Sequence, residues 1–353
     1  MAAREFRTVV LESALFYGLL RAMVRQRRQA WLLTDAWLLG GVIVALVGIG
    51  QWVLGRGVIT ADEVSRVRAF YGSPNNLALY LGRLLPLALA VAAWGRGDRG
   101  RWRRWLYGLA AIVLAGALFL TYSRGAWVVG LPASLLFLAA LRGRRTLALA
   151  VGLLVVLAVL VVVVVGPGRL TSLLDASQGT TFFRLQLWQS SLSMLGDHPV
   201  LGVGLDNFLY QYRSHYVLPT AWEEFNLSHP HNFVLDFWLR LGIAGLAIAL
   251  GLLVAFFRRG WRLYRALPEG QDRLLVLGLM AGMVNFVAHG LVDNAFFLVD
   301  LAFAFMLMLA LINTQYPIQT AMQKGAGGDV RASRAHHPQP LGASIPNTQG
   351  ERT

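Results

Sequence analysis

Two arginines and one histidine are the residues of this 353-residue sequence that are best suited to anion binding and proton transfer. Arg124 lies in TYSRGAW, in the break between two apolar segments. A guanidinium group near the hydrocarbon boundary of a membrane costs energy unless it reaches water or meets an anion. Arg124 is therefore either an interfacial anchor that ends a membrane span or a fork that binds two oxygens of a phosphate group.

Arg184 is the second candidate for anion binding. The apolar spacing predicts a short amphipathic helix over 181–195, and Arg184 lies in its first turn. The predicted apolar stripe consists of Leu185, Trp188, Leu192 and Leu195. A helix start offers unpaired amides and the positive end of the helix dipole, so an arginine there favours an anion site. The alternative is an exposed arginine on a solvated face.

His231 follows His229 in SHPHNFVLDFWLRLGIAGL, at the start of another apolar segment. An imidazole can accept a proton near neutral pH, so His231 suits the role of general base for a hydroxyl nucleophile. The two histidines could instead hold zinc with Glu223 or Glu224 as a third ligand. No further ligand has regular spacing, so we expect no metal. A polar anchor at the membrane interface is the third interpretation.

Weaker signals accompany these three residues. Asn232 directly follows the histidine, Asn75 begins an apolar segment in YGSPNNLALYL, and Arg213 is one of several polar residues in a long loop. We expect these three to bind substrate together with the two arginines. Asp236 and Arg240 lie four residues apart in an apolar segment, so they are predicted to pair on one helix face or to border a polar cleft.

The elements that position these residues are membrane helices. The chain is 56% apolar and 14% charged, whereas an ordinary soluble domain has about 25% charged residues. Residues 146–166 (TLALAVGLLVVLAVLVVVVVG) contain no ionisable group, and a run of about 20 apolar residues is the length of a transmembrane helix. This excludes a soluble globular protein, and also an outer-membrane barrel, whose strands would alternate in short segments. The predicted fold class is an all-α, polytopic helical integral membrane protein.

About nine spans are predicted. They cover approximately 9–24, 31–54, 75–94, 105–122, 125–141, 146–166, 232–257, 274–296 and 298–315. The net charge of +14 comes from short arginine clusters between apolar runs rather than from one basic face, which indicates membrane topology and no nucleic-acid partner.

Arginine counts in alternate loops predict the orientation. Seventeen arginines lie in one set of loops (21–28, 96–104, 142–145 and 258–273) and seven in the other, longer set. The positive-inside rule places the first set in the cytoplasm and the second, with Arg124, Arg184 and His231, outside.

Two longer segments complete the predicted organisation. An external loop of about 65 residues, 167–231, separates the sixth and seventh spans, whereas most helix connections have about 2–8 residues. Long ordered loops often carry function. Residues 316–353 are polar and rich in Gly, Pro, Ser and His, which predicts a disordered cytoplasmic tail after a membrane domain over 1–315.

Four motifs occur in a characteristic order along the chain. They are Pro74-Asn75, Ser123-Arg124-Gly125, Arg184-x-x-x-Trp188 leading to P-x-x-G-x-G at 199–204, and His231-Asn232 followed by nine residues and Gly242-x-x-Gly245. With them, the chain from about Phe16 to Asn313 resembles the O-antigen ligase-like superfamily of bacterial membrane glycosyltransferases. That superfamily includes lipopolysaccharide O-antigen ligases, polysaccharide polymerases and protein O-oligosaccharyltransferases. One departure is Leu246, where the family usually has threonine.

The resemblance implies a GT-C-like helical arrangement and an inverting, metal-independent glycosyl transfer without a cofactor. The implied donor is an undecaprenyl-diphosphate-linked glycan and the acceptor a hydroxyl of a lipid, a glycan or a protein, at the outer face of the inner (cytoplasmic) membrane. Arg124 and Arg184 would bind the donor diphosphate, and His231 would deprotonate the acceptor. Family members generally have more spans, so we expect several N-terminal ones to be missing.

Other functions remain open at this point. A polysaccharide polymerase of the same superfamily would use the same residues. A non-enzymatic flippase or exporter of lipid-linked sugars would need polar residues in mid-span, and the spans over 105–166 offer almost none. An intramembrane protease is disfavoured because no Gly-x-Ser-Gly sequence is present.

Overall fold

The computed structural model describes residues 2–61, 64–95, 98–165 and 179–314. The helices in chain order are α1 (Ala2–Glu5), α2 (Glu12–Met23), α3 (Arg27–Leu54), α4 (Pro74–Trp94), α5 (Asp98–Leu120), α6 (Leu131–Arg142), α7 (Arg144–Val165), α8 (Gly179–Asp197), α9 (Phe208–Gln211), α10 (Phe233–Ala266), α11 (Gln271–Gly290) and α12 (Val299–Ile312). Short π-helical segments cover Phe6–Leu11, Gly125–Gly130 and Tyr212–Tyr216, and a 3-10 helix covers Pro219–Glu224. One antiparallel hairpin of β1 (Ile59–Ala61) and β2 (Val64–Arg66) departs from the all-α prediction.

Six helical segments in the described part of the chain are long and apolar enough to cross a membrane. They are Arg27–Leu54, Pro74–Trp94, Arg101–Leu120, Gly125–Arg142, Phe233–Ala266 and Gln271–Gly290. α12 is apolar but has 14 residues, fewer than the roughly 20 of a full span. The chain is thus a polytopic helical membrane protein, and a total of nine spans stays a prediction. The predicted loop residues 167–178, with Arg169, and the tail 316–353 lie outside the described residues.

Burial distinguishes two central helices from the others. The most apolar stretches of α4 and α11 are 72% and 78% buried inside the protein, against 28–39% for the other four candidate spans. α4 and α11 pack against each other, and α5 and α6 pack around them. Apolar side chains on the outer helices stay exposed because lipid rather than water surrounds them. The ends of α4 and α11 therefore set the positions of the surrounding loops.

One end of the bundle, which we call the basic end, gathers the loops at 21–28, 98–104, 142–145 and 258–273. Ion pairs join these loops: Arg27 to Asp272 (2.9 Å), Arg103 to Asp35 (2.6 Å) and Arg142 to Glu269 (3.0 Å). Arg21 donates to the carbonyl oxygen of Asn313 at the end of α12. The loops that the arginine count assigns to one side of the membrane do lie together, although which side this is stays a prediction.

The opposite end, which we call the site end, carries the hairpin, the turn 121–124 and the segments 228–233 and 291–298. Arg83, in the middle of α4, is 1% exposed and donates to the carbonyl oxygens of Leu301 (2.6 Å) and Ala295. Its guanidinium also lies 5.0 Å from the ring centre of Phe286. This buried arginine fixes the connection between α11 and α12.

α10 is broken at Gly242, which has φ 69° and ψ −175°. A β-carbon there would lie 2.4 Å from the carbonyl oxygen of Val200. The peptide N–H of Ile243 donates to Val200 (3.0 Å), while the freed carbonyl of Leu239 accepts from Val203 (2.7 Å). Non-local partners thus satisfy the backbone groups that the break releases. The P-x-x-G-x-G and G-x-x-G motifs are therefore in direct backbone contact at this point.

α8 confirms the predicted helix, and its apolar stripe is partly buried and partly exposed. Leu187 and Met194 are fully buried, whereas Leu185 and Leu192 of the predicted stripe are exposed. Buried serines at 190 and 191 lie on the same side as Leu187 and Met194. Leu195 of the stripe is buried and Trp188 is half-buried. Spacing alone did not show which apolar side chains of this helix would meet α10 and the segment 208–216.

Candidate functional site

His231 lies between Pro230 and the start of α10, in a left-handed backbone conformation with φ 49°. Its Nδ1 atom is 2.8 Å from Oδ1 of Asp293. A carboxylate can only accept a hydrogen bond, so the neutral imidazole carries its proton on Nδ1. This leaves the lone pair of Nε2 available to accept another proton. The pair therefore has the geometry of an oriented general base.

Asp293 is the anionic centre of the site and is 2% exposed. Its Oδ1 also accepts from the N–H of Asn294 (2.9 Å), and its Oδ2 lies 3.7 Å from Nη2 of Arg184. Burial alone would raise the pKa of Asp293, but the hydrogen bond from His231 and the nearby positive charges lower it below its usual range. Asp293 is therefore ionised at neutral pH and can orient His231.

α8 contributes to the site at two points one helical turn apart. Arg184 forms the ion pair with Asp293, and Trp188 donates its indole N–H to the carbonyl oxygen of Pro230 (3.0 Å), directly before His231. Residues at i and i+4 lie on the same face of a helix. The arginine of the R-x-x-x-W motif thus supplies a cation to the site, and its tryptophan holds the backbone directly before His231.

Asn232 caps α10. Its side-chain oxygen accepts from the N–H groups of Val234 (2.9 Å) and Leu235 (3.2 Å), and its amide nitrogen donates to the carbonyl of Leu291 (3.0 Å). These bonds satisfy helix-start donors and tie the segment of His231 to the segment of Asp293. Asn232 is therefore a positioning residue in this structure, and its substrate contact stays a prediction.

Arg124 is exposed and directly precedes Gly125, where the π-helical segment begins. A β-carbon on Gly125 would lie 2.8 Å from the ring of His289, so the backbone at 124–125 packs on α11 one turn before Asp293. Arg124 thus lies in the same end of the molecule as Arg184 and His231. Its side-chain contact with a donor stays a prediction.

Asn75 supports the turn before Arg124. Its side-chain oxygen accepts from Arg66 (2.9 Å), and Arg66 also donates to the carbonyl of Thr121 (2.8 Å). The turn is closed further by Tyr122, whose φ is 49°. This network holds the position of Arg124 through β2. The structure places Asn75 in the framework of the turn, and its role as a substrate ligand stays a prediction.

Arg213 lies farther along the loop, with its guanidinium carbon 4.9 Å from the ring centre of Phe225. It is exposed, and within the described residues its side chain makes no contact with His231 or Asp293. Its predicted role in substrate binding is therefore not supported by a contact.

His229 adds a third possible ligand atom. Its ring centre is 4.3 Å from that of His231, and burial lowers the pKa of His229 to about 3, so it is neutral. Ligand atoms of His229, His231 and Asp293 all lie within 4.8 Å of one another and could hold a metal ion. The third ligand would be Asp293 rather than Glu223 or Glu224. The guanidinium of Arg184 beside Asp293 disfavours a second cation there.

A cavity of about 410 Å³ adjoins His229, within the usual range of about 300–1,000 Å³ for ligand sites. Its polar lining comprises Glu5, Asn76, Asp206, Tyr210, Ser228, Arg240 and Asn294. Arg240 pairs with Asp236 (2.6 Å) and with Glu5, and donates to the carbonyl of Ser228 (2.9 Å). This confirms the predicted pairing of Asp236 with Arg240. The carboxylates offset the arginine, so this cavity favours hydroxyl groups over a phosphate.

Neither Arg83 nor the link from His231 to Asp293 follows from the motifs. A lone arginine inside an apolar segment (LGRLLPL) was an available signal for Arg83, because such residues face protein rather than lipid. Asp293 was visible in HGLVDNAFF, but its pairing with a histidine 62 positions away had no local signal.

Comparison with known proteins identifies a related family. A family model described as O-antigen ligase matches residues 109–250, a stretch that contains Arg124, Arg184 and His231. An O-antigen ligase of Pseudomonas aeruginosa is 29% identical over 179 residues, which is 50% of this chain and 41% of that relative. The match thus spans less than half the length of the curated relative. Both findings agree with the resemblance drawn from the four motifs.

Proposed function

From the confirmed resemblance to the O-antigen ligase-like superfamily, we propose that this chain transfers a glycan from an undecaprenyl-diphosphate carrier to an acceptor hydroxyl. The reaction inverts the anomeric centre, needs no metal, and takes place at the outer face of the inner membrane. The observation that carries the proposal is that Asp293 contacts both His231 and Arg184 at one end of the bundle. This arrangement joins an oriented base to a cation that can meet a phosphate.

The acceptor hydroxyl gives its proton to Nε2 of His231 while its oxygen attacks the anomeric carbon. The bond between that carbon and the phosphate oxygen breaks, and the electron pair leaves with the diphosphate. Asp293 holds the imidazole in the tautomer that this step requires and stabilises the imidazolium that forms. Asp293 is a positioning residue, and His231 is the catalytic base.

Arg184 and Arg124 stabilise the departing diphosphate. The gap of 3.7 Å between Arg184 and Asp293 exceeds hydrogen-bond length, so the guanidinium keeps donors for phosphate oxygens. Charge that develops on a leaving group is stabilised best by donors that are already in place. Two arginines on different elements can grip the two phosphates without a metal.

The cavity beside His229 suits the sugar of the acceptor. Asn76, Asp206 and Asn294 line it, and Tyr210 adds an exposed ring. Amides and carboxylates bind hydroxyl groups, while a ring covers an apolar sugar face. The donor phosphates would then lie on the Arg184 side of His231 and the acceptor on the His229 side.

A deletion strain complemented with variants tests the proposal. His231→Ala should lower glycan transfer at least 100-fold, the usual contribution of a general base. His215→Ala is the matched control, because His215 is an exposed loop histidine bonded to Ser214. Unchanged surface glycan with His231→Ala at normal protein levels would refute the role.

A binding measurement separates the two functions of the site. In vesicles that hold the undecaprenyl-diphosphate-linked glycan, Arg184→Ala should weaken donor binding about tenfold, while His231→Ala should leave donor binding intact. Equal loss of donor binding in both variants would contradict the division of roles.

A further inference from the structure

A second cavity lies at the basic end, far from His231. It has a volume of about 490 Å³ and is lined by Arg21, Ala255, Arg258, Arg259, Arg262 and Asn313. Positions 255, 258, 259 and 262 follow helical spacing and lie on one face of α10, while Arg21 comes from α2. Two separate helices therefore direct four guanidinium groups into one space above the end of α12.

These arginines lack the acidic partners that their neighbours have. Elsewhere at the basic end, Arg27, Arg103 and Arg142 each pair with a carboxylate. Within the described residues, Arg258, Arg259 and Arg262 form no ion pair, and the buried Nε of Arg259 has no hydrogen-bond partner there. Arg21 donates to a carbonyl oxygen, that of Asn313. Four positive groups in one cavity repel each other unless an anion enters.

The surface beside this cavity is apolar. On α10, Ile248 and Val254 are exposed by 65% and 54%. Val254 directly precedes Ala255, the apolar residue that lines the cavity. α10 thus presents a cluster of cations at its end and exposed apolar side chains along its length. A molecule with an anionic head and acyl chains matches both features.

We propose that this cavity binds the phosphate of an anionic membrane phospholipid, with the acyl chains lying along α10. The positive-inside rule predicts that the basic end faces the cytoplasm, so the lipid would come from the inner leaflet. The proposal concerns a site at the opposite end from His231, and it does not depend on the proposed glycosyl transfer.

Native mass spectrometry of the detergent-purified chain titrated with phosphatidylglycerol tests this site. The double variant Arg258→Ala, Arg262→Ala should bind the lipid about thirtyfold more weakly, since each basic residue at an anionic interface contributes about fivefold. Both side chains are exposed, so folding should be unaffected. Arg144→Ala, Arg145→Ala is the matched control, because it removes two exposed arginines of the same end that lie outside the cavity.

Lysine variants and competing ligands test whether binding depends on charge and whether the ligand is a lipid. Arg258→Lys, Arg262→Lys should keep binding within about threefold, since charge dominates the interaction. Phosphatidylcholine and millimolar inorganic phosphate should not displace phosphatidylglycerol. Equal weakening in the Arg144, Arg145 control would overturn the site, and displacement by inorganic phosphate would overturn the assignment to a lipid.

Discussion

The two ends of the bundle use charged side chains in different ways. At the basic end the ion pairs are partly exposed: the side chains of Arg27 and Glu269, one in each of two pairs, are 54% and 63% accessible. At the site end, Asp293 and Asp236 are almost fully buried. An exposed pair typically stabilises a protein by about 0–1 kcal/mol, whereas breaking a buried pair costs about 3–5 kcal/mol. Charges at the basic end thus contribute little to stability, and those at the site end hold a geometry.

Arg240→Ala should have the largest effect on stability. It leaves Asp236 and Glu5 without their cation in a buried position, which costs about 3–5 kcal/mol and lowers the midpoint of thermal unfolding in detergent. Arg142→Ala at the basic end is the control. Similar changes in the unfolding midpoint of both variants would mean that the two ends do not differ in how their charges stabilise the protein.

Gly242→Ala should cost about 2–3 kcal/mol. Its φ and ψ lie in a region that only glycine adopts readily, and the added methyl group would meet the carbonyl oxygen of Val200. Glycan transfer should fall as well, because the motif at 199–204 would move away from α10. Gly251→Ala is the matched control, with open space at the β-carbon in the same helix, and should be neutral or stabilising.

Asp293→Asn tests whether the buried charge at the site end matters for catalysis. An amide can hold the imidazole in the wrong tautomer, so transfer should fall about 100-fold, with a change in kcat and little change in donor binding. An effect on donor binding alone would contradict the assignment of Asp293 as a positioning residue.

The same variant predicts a pH dependence of stability. The pKa of Asp293 is lower in the folded than in the unfolded chain, so its contribution is complete above about pH 4–5 and is lost as the pH falls further. Thermal unfolding between pH 6 and pH 3 should therefore show a steeper loss for the unsubstituted chain than for Asp293→Asn. Parallel curves would count against the buried ion pair.

Arg103→Ala should have the smallest effect. It removes a half-buried ion pair with Asp35 at the basic end, but Asp35 keeps its hydrogen bond from Tyr107, so we expect a loss of about 1 kcal/mol. A loss above 2 kcal/mol would mean that this end also depends on its charges.

Local patterns in the sequence were sufficient for much of this molecule. The apolar runs predicted the helices, and the spacing of Asp236 and Arg240 predicted their contact. The four motifs identified Arg124, Arg184 and His231, which the structure places at one end. Spacing could not predict which face of α8 is buried or that Arg66 and Asn75 support the turn at Thr121. Those features depend on residues distant in sequence, and no periodic pattern encodes such pairings.

Arg83 has a consequence for motion in the protein. Because its guanidinium donates to the carbonyls of Ala295 and Leu301, the segment with Asp293 is anchored to α4, one of the two central helices. An opening that admits a large lipid-borne sugar would then involve α8 rather than this segment. His231 would stay with Asp293, because Asn232 ties the segment of His231 to the carbonyl of Leu291.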